Sequence, residues 1–111
     1  MTLIDLTTAK LHLRLDGNDE DAIVQLYAAA ASAAAINFLN RNVYASLDEL
    51  ESAAEPPDAN PMVINDAVRA AVLLILGHLY ANREEVVLAS ATQMPFGAHN
   101  LLYPYRIGMG V

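Results

Sequence analysis

From Ala28 to Ala35 the chain is alanine at every position but one, the exception being Ser32. Alanine has the highest helix propensity of any residue and almost no side chain, so the tract commits its surroundings to a helix with a nearly smooth surface. Neighbouring helices can approach such a surface closely, and on more than one side. Within it Ile23, Tyr27, Ala30, Ala34 and Phe38 recur at spacings of four, three, four and four, a helical stripe. The predicted helix takes Asn18 or Asp19 as its cap and carries Glu20 and Asp21 in its first turn, where acids favour the positive end of the dipole. It ends near Asn40 to Asn42, because asparagine tolerates left-handed backbone.

A second stretch is apolar almost all round. From Ala67 to Tyr80 one face carries Val68, Val72, Ile75 and Leu79 and another Ala67, Ala71 and Leu74, the pattern of a central helix with several neighbours. Asn60-Pro61 or Asn65-Asp66 starts it, Met62 to Ile64 reads equally as a brief extended segment, and the helix runs to about Glu84 with Arg83 near its negative end. Shorter helices flank the pair. Thr7 or Thr8 caps a first one bearing Ala9, Leu11, Leu13 and Leu15, which Asp16-Gly17 ends. Pro95 opens a last one through Tyr103, which Pro104 stops. Residues 43–60 form a polar connector in which Ser46-Leu47-Asp48-Glu49 fits a capping box, with a short helix from Leu47 to Ala54 that Pro56-Pro57 ends. Residues 86–94 read as a linker. The expected fold is all-α: a small helical bundle with two long central helices, short N- and C-terminal helices and a polar connector, one domain over 1–106 with a flexible tail at 107–111.

Composition adds a requirement to this fold. Hydrophobic residues make up 55% and charged ones 17% of 111 residues, against roughly 45–50% and 25% in ordinary globular chains. A domain this small buries only about two thirds of its unfolded surface, so the surplus points to an outer face covered by something else. The net charge of -7 is uneven: residues 1–60 hold three cations and ten acids, and the remainder balances. The acids form two runs, Asp16, Asp19, Glu20 and Asp21, then Asp48, Glu49, Glu51, Glu55 and Asp58. No two cations are adjacent, which argues against a grip on a phosphate backbone. There is no cysteine, so disulfides and thiolate metal sites are excluded. The uncharged apolar stretch Ala70 to Ala81 is short of the ~20 residues a membrane span requires, and Asp5 precedes any apolar run, so a soluble cytoplasmic product without a signal peptide is expected.

Sites of chemistry do not assemble from the remaining residues. Asp16, Asn18 and Glu20 have the alternate spacing of a calcium loop, but Asp21 and Tyr27 stand where that loop needs Gly and Glu. His12, His78 and His99 are too far apart for a shared zinc site: His78 reads as a core or interface imidazole and the other two as surface residues. Adjacent acids at Asp48-Glu49 and Glu84-Glu85 point about 100° apart on a helix, which does not suit an acid-base pair. No glycine-rich phosphate loop is present, and Ser32, Ser46, Ser52 and Ser90 lack the setting of a nucleophile elbow. Ser46-Leu47 follows Ala45 instead of the Asp of an acyl carrier motif. No catalytic, cofactor or metal site is expected.

Several segments read together resemble the head-tail connector proteins of long-tailed phages. These are Thr8-Ala9-Lys10-Leu11-His12-Leu13-Arg14-Leu15-Asp16 with Asp19-Glu20-Asp21 and Tyr27, then Gly77-His78-Leu79-Tyr80-Ala81-Asn82-Arg83-Glu84, then Met94-Pro95-Phe96-Gly97 with Leu101-Leu102 and Tyr105-Arg106. The resemblance implies a structural adaptor, made in the host cytoplasm and carried in the virion, that forms a homo-oligomeric ring between the portal and the neck or tail-completion proteins and lets DNA pass unbound. Under that reading Ala30, Ala31 and Ala34, with Phe96, Leu101, Leu102 and Tyr105, are candidates for subunit contacts within or between chains. Tyr80 and Arg83 brace a helix end, and Asp19, Glu20, Asp21, Asp48, Glu49 and Glu51 are candidates for the lumen. Truncation after Met94 is expected to weaken assembly more than the fold. The competing class is a helical interaction or regulatory module that closes as a dimer, which needs one self-matching patch where a ring needs two different faces.

Overall fold

The computed structural model describes residues 3–56, 59–81 and 95–107. In chain order these form α1 (Leu6–Leu13), α2 (Asp21–Leu39), a strand β1 (Val43–Tyr44), α3 (Leu47–Ala53), a strand β2 (Met62–Val63), α4 (Asp66–Ala81), α5 (Phe96–Leu102) and a closing 3-10 turn, Tyr103–Tyr105. The fold is predominantly helical, as the periodicity requires. Strand structure among the described residues is one parallel pair, Val43 beside Met62 and Tyr44 beside Val63. β2 realises the extended alternative for Met62 to Ile64, whereas β1 falls in the stretch read as polar connector. Parallel strands need a crossover between them, and α3 lies in it. Val43, almost wholly buried, fastens this unit to the core.

The helix ends show which polar groups were free to cap. At α1 the cap is Asp5, not Thr7 or Thr8: its Oδ1 accepts the Thr8 N–H at 2.7 Å, and that bond holds the carboxyl below its ordinary pKa. α1 ends at Arg14, in left-handed backbone with φ 60°, before Asp16-Gly17 is reached. Neither Asn18 nor Asp19 caps α2. Glu20 takes the cap position without capping, because its carboxylate accepts the Tyr80 hydroxyl, and the Asn18 side chain accepts from Lys10 Nζ. The other end of α2 is as read: Asn40 closes it with φ 57°. Ser46 Oγ accepts the Glu49 N–H as a capping box requires, while Glu49 reaches back to the Ala45 N–H, one residue before the cap. For α4, Asn65 Oδ1 accepts the Val68 N–H at 2.9 Å and decides between the two candidate starts. Pro104 ends the α-helical part of the last segment but sits inside the 3-10 turn, where its missing N–H costs nothing.

α4 packs against both α2 and α5, and α1 touches α2 and α4. Its buried residues are Val68, Ala71, Val72, Ile75 and Leu76, while Leu74 is partly exposed. On α2 the buried face is Val24, Tyr27, Ala28, Ala31, Ser32, Ala35 and Leu39. That is one position on from the expected stripe, of which Ile23 and Ala30 are exposed and only Tyr27 is buried. A run of identical small residues carries no rotational phase, so the bulky Val24 and Leu39 near its ends set which side faces inward.

Both ends of the described chain return to α2. Leu3 and Ile4 are buried, and the Leu3 N–H donates to Ser32 Oγ at 2.9 Å while Ser32 donates to the Ala28 carbonyl at 2.8 Å. The one break in the alanine tract is therefore the point where the N-terminal segment is fastened. At the other end Ala98 and Leu102 are fully buried. Beyond them Arg106 Nε donates to the Phe38 carbonyl at 2.8 Å and the Ile107 N–H to the Leu39 carbonyl at 2.9 Å, so the C-terminal segment caps the last turn of α2. Ile107, first residue of the expected tail, is thus held, and residues 108–111 lie outside the described residues. Arg41 joins three segments by donating to the carbonyls of Asn60, Pro61 and Tyr105.

Candidate assembly surface

The polar clusters of the molecule are spent on holding it together. A shallow cleft of about 340 Å³ is lined by Asn37, Asn40, Arg41, Asn42 and Glu55. Arg41 is committed to the three carbonyls, and Glu55 accepts from Asn42 at 3.0 Å and from the Tyr44 hydroxyl. That bond raises the Tyr44 pKa above its ordinary value. No group of three or more His, Asp or Glu is poised to hold a metal among the described residues. His99 is not a simple surface residue: its ring lies 4.9 Å from Phe38 and 5.7 Å from Tyr103. His12 is exposed yet reaches over Gly77, where a Cβ would stand 3.2 Å from its Nε2, so the glycine lets α1 approach α4.

The acids divide. Glu20 binds Tyr80 and Asp21 pairs with Lys10 at 2.9 Å, so these two stitch α2 to α4 and α1. Tyr80, near the end of α4, donates its hydroxyl to Glu20, and Arg83, its expected companion at that helix end, lies outside the described residues. Asp19 is exposed, and so are Asp48, Glu49 and Glu51 on α3.

The apolar candidates divide in the same way. Ala31 and Leu102 are fully buried within the chain, and Ala34, Leu101 and Tyr105 are half-buried against its core. The C-terminal anchors therefore dock first on their own chain, because α4 is apolar nearly all round and α5 covers one of its sides. Ala98 and Leu102 lie beyond Met94 and belong to the core, so truncation there removes core residues along with the exposed Phe96. Ala30 is exposed, and Phe96 is 80% exposed. Other large apolar residues stand in solvent, Leu11 at 74% on α1, Tyr103 at 62%, Leu26 at 60% and Leu47 at 59% on α3 among them. Ile23, Leu26, Ala30 and Ala33 follow one another at three or four residues along the outward face of α2. That spacing was visible in the sequence, but the alanines gave both faces of the helix equal claim to the interior.

α2 is also long and apolar enough to cross a membrane by length and composition, a longer candidate than the Ala70 to Ala81 run. Here its inward face is part of the core.

With these faces placed, the comparison with known proteins is decisive. The family model of the Phage gp6-like head-tail connector protein matches residues 3–106. The chain belongs to that family of phage head-tail connectors. No curated protein and no solved structure matches it. The connector is thus a structural component of the virion that meets head and tail components. The matched span runs from the N-terminal anchor to the Arg106 cap, so it takes in both segments that return to α2. The motifs that carried the resemblance have structural work in the connector. Lys10 ties α1 to the start of α2, and Tyr80 ties the end of α4 to the same point. In the Pro-Phe-Gly segment a Cβ on Gly97 would stand 3.3 Å from Leu74 Cδ1, so glycine there permits the close approach of α5 to α4.

Proposed function

We propose that the connector assembles as a homo-oligomeric ring beneath the portal vertex, bridging the portal and the neck or tail-completion proteins, with DNA passing through its opening. The observation that carries this reading is the family match over nearly the whole chain. The surplus of exposed apolar side chains agrees with it, since a ring subunit needs two faces to be covered. The role is structural and not catalytic. The protein collects in the host cytoplasm before joining the virion, and DNA slides past it without specific binding. A negative lumen would repel phosphates, and of the acids proposed for it Asp19, Asp48, Glu49 and Glu51 are exposed, whereas Glu20 and Asp21 are engaged by Tyr80 and Lys10.

Purified connector, alone and with portal protein, tests the ring by light scattering and negative-stain imaging. Rings are expected, at least once portal is added. A monomer or a closed dimer under both conditions would overturn the proposal. For the lumen, changing Asp48, Glu49 and Glu51 to amides is expected to slow genome packaging and release. Unchanged kinetics would remove the acids from that role.

A further inference from the structure

Two exposed apolar faces on this chain differ in side-chain type and in charge. The outward face of α2 presents Ile23, Leu26, Ala30 and Ala33, two large aliphatic side chains followed by two methyl groups, all exposed. On the last segment Phe96 and Tyr103 stand seven residues apart, so they project from the same side, and both are more than half exposed. These are aromatic side chains where the first face is aliphatic. Charge separates the two faces further. Asp16 and Asp19 are exposed at the entrance to α2, where the one cation seen to reach it among the described residues, Lys10, is engaged with Asp21 and Asn18. Residues 95–107 contain no acid and carry the exposed Arg106.

We propose that the occupant of the α2 face is the Phe96–Tyr103 face of a second copy of this chain, with Arg106 drawn toward the acidic entrance of α2. This rests on the ring reading and names its subunit contact. A contact between two unlike faces leaves one of each free at the ends of any pair, so it propagates until rotation closes it. Aromatic side chains seated on a close-packed aliphatic surface, with an arginine at the rim, have the composition of an interface hot spot. The same pairing explains why four apolar residues follow one another on the outward side of a helix whose inward side already fills the core.

Leu26→Glu and Phe96→Glu test it, as full-length chains followed by light scattering and sedimentation with and without portal. Both positions are exposed, so melting temperatures should stay at the wild-type value; Ala33→Glu and Tyr103→Glu replace them if either melts early. Each variant alone is expected to lose rings and remain monomeric. An equimolar mixture of the two is expected to give heterodimers of twice the monomer mass and nothing larger, because each partner keeps one working face and together they make one contact. Rings from either variant, or no heterodimer in the mixture while the wild type forms rings, would overturn this contact and leave the ring reading standing. A dimer that survives Phe96→Glu but not Leu26→Glu would mean that α2 faces pair with each other. Wild-type protein that forms no ring with portal would overturn the ring reading itself.

Discussion

The two segments that return to α2 are held by different physics. Leu3 and Ile4 arrive at the middle of the helix, where one hydrogen bond to the wholly buried Ser32 satisfies a main-chain donor cut off from water. Residues 105–107 arrive at its C-terminal end, where several donors meet carbonyls at the rim of the molecule, and the apolar anchoring lies further back at Leu102. A single bond suffices at the first site because an unmade bond there would cost the full desolvation of the group. At the second site the Arg106 bond is exposed, so it adds little, because water can replace it. The lesson is that the number of polar contacts does not rank the two attachments. Burial does.

Four substitutions probe that ranking. Leu102→Ala removes the buried anchor behind the C-terminal contacts and is expected to cost about 2–5 kcal/mol in denaturant unfolding, the range for large-to-small core changes. A loss under 1 kcal/mol would mean that the polar cap, not the core, holds this segment. Ser32→Ala leaves the Leu3 N–H unpaired and should cost about 1–3 kcal/mol. Amide exchange at Leu3 should quicken at the same time; unchanged protection there would break the argument. Arg106→Ala removes one hydrogen bond and a guanidinium 5.1 Å above the Phe38 ring, both exposed, for about 0.5–1 kcal/mol. Should it equal the loss at Ser32, the contrast between buried and exposed attachment fails.

The smallest effect concerns Asp5, directly after the N-terminal anchor. Its folded pKa lies below the ordinary value of 3.8 because its carboxylate accepts hydrogen bonds from Thr8. The ionised form is the one that folding favours, so its contribution is complete above that ordinary value and is lost as pH falls through the lower folded value. Asp5→Asn keeps an acceptor and cannot titrate. The gap in melting temperature between wild type and variant should therefore narrow on acidification, and a constant gap would assign the capping to a group other than Asp5.

Much of this molecule is legible in its residues, and the failures have a common cause. The two long helices, the Ser46 cap and the Asn40 stop depend on interactions within a few residues, and over the described residues, which leave out the expected end of the second helix at Glu84, they stand as read. Missed features needed a partner distant in sequence. Glu20 is a good first-turn acid until Tyr80 claims its carboxylate. Arg41 looks like a surface cation until three carbonyls from two other segments converge on it. Among the assembly candidates, Phe96 and Ala30 remain exposed, whereas Ala31 and Leu102 went to the interior. Leu26 and Tyr103, on the same faces as Phe96 and Ala30, went unnoticed because nothing in a local window says which side of an alanine-rich helix its neighbours will cover.

What the sequence determined by itself was the helical class, the two central helices, the surplus of apolar surface and, through its motifs, the connector family. The first three follow from propensity, period and composition, which act over short stretches or over the whole chain at once; the family rests on the resemblance of the motifs and the family match. What only the tertiary structure decided was the phase of α2, hence which alanines are core and which remain for a partner. A tract of identical methyl groups is nearly degenerate under rotation about its own axis. The degeneracy is lifted by Val24, Leu39 and the Leu3 bond to Ser32, contacts that exist only once the chain has closed on itself.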